Sequence, residues 1–353
     1  MKIKLNSKKI RVEVPNMTTR KVAVLVAGSW GTALASVLAD HGFQVSLWTR
    51  HTHQAQEINE QHTNQKYLTL PPQQFLSENI KATTSIPEAV QSAEAVVLAA
   101  PTSAMGEVSQ AISSYIKPEQ LIVHVAKGFE RHTLKRMSEV IAQYIPHIDA
   151  EKIVVLSGPS HAEEVIIRKP TTVVAAASDV HSAKRALSLF FNENFRVYLN
   201  QDIIGVEIAG ALKNIIALAA GMTDGLGLGD NAKAALVTRG LNEIVHLGVC
   251  MGGSRDTFYG LAGLGDLLVT CGSVHSRNYR AGFQIGQGKS VEQITQSGGM
   301  VVEGINTTKA AYSLSQQFDV QMPIVEQLYQ VLFADKHPKQ AVYDLMTRDA
   351  RAE

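Results

Sequence analysis

From position 21 the chain alternates short apolar runs with longer amphipathic stretches. The runs fall at 22–26, 44–48, 95–100, 121–125, 153–156, 172–175 and 195–199. Runs this short, and this rich in Val, Ile and Leu, suit strands buried on both faces of a parallel sheet. Between the first two, 32–41 has helical spacing, and Gly42 stands where a helix C-cap is expected. Pro101, Pro118 and Pro170 punctuate the later runs. Strands alternating with helices predict a doubly wound α/β sheet.

After residue 200 the strand runs stop. Helical spacing takes over at 203–221, 232–251, 307–318 and 323–333. No proline lies between Pro170 and Pro323, as helix interiors require. Glycine moves the other way: 6 of the 26 precede residue 200, and the other 20 lie between Gly205 and Gly304. This change of character predicts two domains, a doubly wound α/β domain over 21–200 and an all-α domain over 201–353. Residues 1–20 form a basic extension carrying Lys2, Lys4, Lys8, Lys9 and Arg11.

Composition narrows the classes. The chain has 353 residues, 45% hydrophobic and 18% charged, enough apolar material for sizeable cores. A net charge of +1 gives no overall field for nucleic acid or an anionic membrane. The extension lacks the apolar segment of a secretory signal. No apolar run is read as approaching the roughly 20 residues that span a bilayer. Cys250 and Cys271 are too few for a disulfide framework, so a reducing, cytoplasmic setting is expected. His51, His53 and His62 lack a metal-ligand spacing and read as surface residues; no metal is expected. Met251, Met300 and Met322 read as packing residues.

Chemistry enters at the turn after the first run, Val26-Ala27-Gly28-Ser29-Trp30-Gly31. In the dinucleotide fingerprint G-x-G-x-x-G, Gly28 takes the second glycine position and Gly31 the third. The second admits the pyrophosphate to the backbone, and the third lets the helix pack on the strand. Val26 stands where the first glycine shapes the turn, and a β-branched residue resists positive φ. Either the turn adapts or cofactor binding weakens. Arg50 follows Gly31 by 19 residues. An arginine there suits a 2′-phosphate, which leans toward NADP over NAD. The first domain is therefore read as Rossmann-like.

Five further segments carry polar chemistry. Lys127, in Val125-Ala-Lys-Gly-Phe129, follows a strand, where open α/β sheets bind ligands. In Ser157-Gly158-Pro-Ser160-His161-Ala162-Glu163, Ser160 and Glu163 have capping-box spacing. Lys213 lies among small and apolar residues of a predicted helix. If buried, its pKa drops and it can transfer protons; otherwise it lies on a solvated face. Asp266 ends a glycine-rich stretch and can hold a hydroxyl or a lysine. Ser276-Arg277-Asn278 can clamp a phosphate.

Together these segments resemble NAD(P)-dependent glycerol-3-phosphate dehydrogenases of the bacterial, soluble type, from about Lys21 to Leu345. The resemblance rests on 28–35, 126–129, 157–160, 212–214, 238–241, 260–266, 276–278 and 301–304, present in order. It implies reversible reduction of dihydroxyacetone phosphate to sn-glycerol 3-phosphate for phospholipid synthesis, with Lys213 as proton donor and acceptor. Substrate contacts are implied for Lys127, Gly158, Ser160, Lys213, Asp266, Ser276, Arg277 and Asn278. Cofactor contacts are implied for Ser29, Trp30, Arg50, His51, Lys127, Ala162, Arg277, Val301 and Glu303, beside Gly28 and Gly31. A homodimer is implied by the family alone. The chain departs from the family at Val26, normally glycine, and at His161, usually phenylalanine. Two other readings remain: a related enzyme of 2-keto or 3-hydroxy acids, and a nucleotide-binding regulator without turnover. The crowded glycines are expected to pack backbone around a small phosphate ester.

Overall fold

The computed structural model describes residues 20–297 and 302–349. Eight strands form one sheet: β1 (Lys21–Leu25), β2 (Gln44–Trp48), β3 (Ile80–Thr83), β4 (Ala95–Leu98), β5 (Leu121–His124), β6 (Val154–Ser157), β7 (Thr171–Ala176) and β8 (Phe195–Asn200). Their order is β3-β2-β1-β4-β5-β6-β7-β8. Neighbours run parallel except β6 and β7, which are antiparallel. The doubly wound expectation therefore holds, with one reversal that the run pattern does not reveal.

Burial explains which strands were legible. β1 is buried at four of its five positions, and β4, β5 and β6 throughout. β1 sends Val22 and Val24 into the core on one face and Ala23 and Leu25 into the core on the other. The missed strand, β3, is an edge strand of four residues with Lys81 exposed. Half its positions are polar or solvated, so it leaves no apolar run.

The antiparallel step has a functional consequence. The carboxyl ends of β1 to β6 share one edge of the sheet, and those of β7 and β8 lie on the other. Chain order reverses between β1 and β4, and the segments that follow them leave a crevice there.

Beyond β8 the described residues form helices and the turns that join them. The helix Ile203–Gly225 runs through the middle of the second apolar core, against helices Asp230–Cys250, Asp266–Gly272, Arg277–Gly286 and Glu303–Gln317. This helix corrects one expectation: its 23 residues are long and apolar enough to cross a membrane, but 89% of the apolar window is buried inside the protein. It is apolar all round because neighbours cover every side. Glu207 ties it to the sheet half, accepting from Arg136 Nη1 at 2.7 Å and from Ser138 N at 2.8 Å.

Some of the crowded glycines have a role beyond the one expected. A Cβ on Gly282 would lie 1.9 Å from the Leu218 carbonyl oxygen, and one on Gly221 would lie 2.0 Å from that of Tyr279. These glycines let helices 203–225 and 277–286 touch backbone to backbone. Of the methionines, Met322 is buried and Met251 packs against the helical core, while Met300 lies outside the described residues.

Candidate active site

The turn after β1 keeps the geometry of a glycine without the glycine. Val26 has φ +80°, a region that L residues, and β-branched ones above all, rarely occupy. The turn has not adapted to valine; valine is held in the turn. Its carbonyl shows why the third glycine is needed, since a Cβ on Gly31 would lie 2.2 Å from Val26 O. Gly28 is the N-cap of helix Ser29–Asp40, and a Cβ there would meet nothing within 4 Å. No side chain caps this helix start. Gly28 thus presents an open, side-chain-free surface at a positive helix end, which fits a pyrophosphate. Ser29 Oγ donates to the Tyr67 carbonyl at 2.8 Å, so its backbone N–H is what remains for a ligand. Trp30 packs against the core. Gly42, with φ +90°, ends the helix as expected.

Arg50 and His51 follow β2 and are exposed, with Arg50 Nε 3.4 Å from His51 Nε2. They follow the carboxyl end of β2, on the sheet edge where the crevice opens. His53 is exposed and His62 is half-buried, which corrects the surface reading for His62.

The chemistry gathers where β5 and β6 end. Asp266, 2% exposed, takes Lys127 Nζ on one carboxylate oxygen and Lys213 Nζ on the other, both at 2.5 Å. Lys127 also donates to the Gly158 carbonyl at 3.1 Å, and Lys213 to Thr270 Oγ1 at 2.6 Å. The solvated alternative for Lys213 is excluded by its 5% exposure. Gly210, one turn before Lys213, faces this cluster: a Cβ there would lie 3.2 Å from Ser157 Oγ and 3.6 Å from Lys127 Cγ.

Electrostatics follow from this arrangement. Burial brings the Lys213 ammonium down to about 8, with Asp266 holding it up and Lys127 pushing it further down. Burial alone would raise the Asp266 carboxyl, but Lys127 and Lys213 outweigh it and keep the group below the usual carboxylate range. A lysine poised near neutrality on a fixed carboxylate can give and take a proton.

Other expected residues surround this cluster. Asn278 donates to Asn214 Oδ1 at 2.9 Å and accepts from Gly304 N at 2.9 Å; Asn214 donates to the Lys127 carbonyl at 3.3 Å. Ser276 caps helix Arg277–Gly286 by accepting from Tyr279 N, and Arg277 is exposed at the helix start. Ser160 departs from its capping reading. Its Oγ donates to the Gly158 carbonyl at 2.9 Å, and His161 is the N-cap of Ala162–Val165, one residue later than the spacing implied. The half-buried His161 lies beside His275, with ring centroids 5.8 Å apart. Burial first, and Lys213 second, lower its pKa and favour the neutral ring. Ala162 is buried at the start of its helix. Glu303 spans the crevice, accepting from Thr102 Oγ1 at 2.9 and 3.0 Å. Val301 lies outside the described residues.

Three residues that bond the cluster or Glu303 were missed: Thr102, Asn214 and Thr270. Two had a signal. Thr270 is four residues after Asp266 on one helix and shares its face. Asn214 is next to Lys213. Thr102 had none.

Known proteins match over nearly the whole chain. The C-terminus of NAD-dependent glycerol-3-phosphate dehydrogenase matches residues 202–343, and its N-terminus matches residues 21–183. A glycerol-3-phosphate dehydrogenase [NAD(P)+] of Lysinibacillus sphaericus is 55% identical over 333 residues, 94% of this chain and 98% of that one. The crystal structure of a Coxiella burnetii glycerol-3-phosphate dehydrogenase aligns with a TM-score of 0.87 at 37% identity, covering 94% of this chain and 99% of that one. A ketopantoate reductase from Ralstonia eutropha, at 14% identity and a TM-score of 0.59 over 92% of this chain and 100% of that one, shares the fold alone. With both parts of the family matched in order, the chain belongs to the NAD-dependent glycerol-3-phosphate dehydrogenase family.

Proposed function

We propose that the chain transfers a hydride reversibly between NAD(P)H and dihydroxyacetone phosphate, giving sn-glycerol 3-phosphate, with Lys213 as proton donor and acceptor. The observation that carries this reading is the pair of lysines on one buried carboxylate at the carboxyl ends of β5 and β6. Nicotinamide, when bound, supplies the hydride. The chain's own part is proton transfer and charge. In reduction the ketone carbon gains the hydride and its oxygen gains a proton from Lys213 Nζ. In the reverse direction neutral Lys213 takes the hydroxyl proton. Lys127 adds positive charge beside the developing alkoxide, and Asp266 fixes both ammonium groups. Thr270, one turn after Asp266 on the same helix, accepts a second bond from Lys213, and Asn214 braces the Lys127 backbone.

The substrate phosphate fits Arg277 and Asn278, with Ser276, Gly158 and Ser160 completing the substrate contacts. The dinucleotide fits Gly28, Ser29, Trp30, Gly31, Lys127, Ala162, Arg277, Val301 and Glu303. Arg50 and His51 favour a 2′-phosphate, hence NADP. Residues 21–200 then act as the dinucleotide-binding domain and 201–353 as the substrate-binding and catalytic domain. We extend the reading to a cytoplasmic homodimer that supplies phospholipid synthesis.

The test is NADPH oxidation with dihydroxyacetone phosphate, run beside unphosphorylated dihydroxyacetone and a 2-keto acid. Turnover that depends on the phosphate is expected. Preference for the keto acid would overturn the substrate, and binding without turnover would leave a regulator.

A further inference from the structure

Behind the nucleotide loop lies a buried polar cluster with no part in the chemistry above. Gln54, on helix Thr52–Gln61, donates from Nε2 to the Ala27 carbonyl at 2.6 Å and to Asn64 Oδ1 at 3.0 Å. Asn64 donates from Nδ2 to the same Ala27 carbonyl at 3.0 Å and to Thr32 Oγ1 at 2.8 Å. Thr49, at the end of β2, donates to Gln54 Oε1 at 2.5 Å and accepts from His51 N at 3.2 Å. All four side chains are buried, Asn64 at 1% exposure.

The Ala27 carbonyl is a significant place to anchor. A peptide is planar, so fixing this oxygen fixes the Ala27–Gly28 peptide and the direction of Gly28. On the other side of the turn Val26 holds φ +80° with no glycine to make that conformation easy. A β-branched residue persists there only when its surroundings over-determine it. Val26 N and Ala27 N both donate to the Trp48 carbonyl at 3.0 Å, which holds one side of the turn, and the two amides on the Ala27 carbonyl hold the other. Four buried polar side chains otherwise have little reason to share a core, because each must be desolvated and paired.

We infer that Asn64 and Gln54 are positioning residues for the cofactor: they hold the nucleotide loop in its binding conformation in place of the missing first glycine. The inference rests on a dinucleotide occupying the Gly28–Gly31 loop. Neither side chain need touch the cofactor.

The test uses the whole protein and three variants, Asn64→Ala, Val26→Gly and the double change. The readouts are the NADPH dissociation constant from nicotinamide fluorescence, the thermal midpoint without cofactor, and the split of KM for NADPH against kcat. Asn64→Ala is expected to weaken NADPH binding about tenfold, the factor equivalent to ~1.4 kcal/mol, and to raise KM for NADPH far more than it lowers kcat. In the Val26→Gly background the same change should cost about threefold or less, because glycine holds the turn unaided. If Asn64→Ala fails to fold, Gln54→Met, which keeps length and removes the amide, takes its place with the same expected pattern. A lowered thermal midpoint with an unchanged dissociation constant would reduce the cluster to ordinary core and overturn the inference. An equal loss in both backgrounds would overturn the link to Val26. Absence of NADPH binding by the native chain would instead overturn the functional reading beneath it.

Discussion

Replacing Asp266 by Asn keeps the shape of the central carboxylate and removes its charge. Two ammonium groups, each 2.5 Å from one of its oxygens, then face each other without a counter-charge. A hydrogen bond to a charged group contributes about 1.5–3 kcal/mol, and 1.36 kcal/mol corresponds to a tenfold change in a proton affinity. Losing this interaction lowers the Lys213 pKa from about 8 by roughly one to two pH units. Lys213 sits lower than a free lysine and must be protonated to drive reduction. The reductive kcat/KM of the native protein therefore falls as pH rises through about 8, and the oxidative one rises there. In Asp266→Asn both limbs move toward acid by that amount. Protonation alone then costs about 3- to 25-fold in the reductive rate at pH 7.5, and part of the loss is recovered near pH 6. The assay is initial-rate NADPH oxidation from pH 6 to 9.5 in buffers of constant ionic strength. An alkaline limb that stays near pH 8 in the variant would refute the argument that Asp266 sets the proton affinity of Lys213.

Val26→Gly relieves a strained turn worth about 1–3 kcal/mol and returns part of it through the freer unfolded chain. The thermal midpoint should rise and cofactor bind more tightly; a lower midpoint would show that the valine is not strained. Gly31→Ala places a methyl 2.2 Å from Val26 O, so the nucleotide loop must shift and KM for NADPH should rise more than tenfold, about 1.4 kcal/mol. An unchanged KM would mean that the helix can move off the strand at no cost. Glu243 is 6% exposed and accepts from Ile324 N and Val325 N at the start of helix Pro323–Phe333. Burial pushes its carboxyl up to about 7 from 4.5, so between those values the folded state binds more protons than the unfolded one and stability falls as pH rises. Urea midpoints should show this slope, up to about 3 kcal/mol in all, and Glu243→Gln should lack it.

What was legible in the sequence follows from burial. Strands buried on both faces write continuous apolar runs, so seven of the eight were found within a residue or two, while the solvated edge strand β3 left none. Strand direction leaves no such trace, which hid the reversal at β7. Glycine spacing located the tight turn between β1 and helix Ser29–Asp40, since Gly31 answers to local sterics. The crowded later glycines were read only as room for a ligand, but a close approach of two helices demands the same residue, and Gly221 and Gly282 serve that. Lys213 and Asp266 were legible as charges in apolar surroundings. Lys127 was legible too, but its meeting with Lys213 on Asp266 was not, because Lys127 is 139 residues from Asp266 along the chain. Asn64 and Gln54 were silent for another reason, since a buried amide inside a polar stretch looks like any surface residue. Ser160 was placed on a cap one residue early, because capping-box spacing alone does not fix which residue begins the helix.

The most direct test of the central claim is Lys213→Ala, assayed for dihydroxyacetone phosphate reduction and, separately, for NADPH binding. General acid catalysis by a positioned side chain contributes about 10²–10⁴-fold. The account predicts a loss of that size in kcat, with a cofactor dissociation constant changed by less than about threefold, roughly 0.6 kcal/mol. Reduction that survives nearly intact in the variant would contradict it.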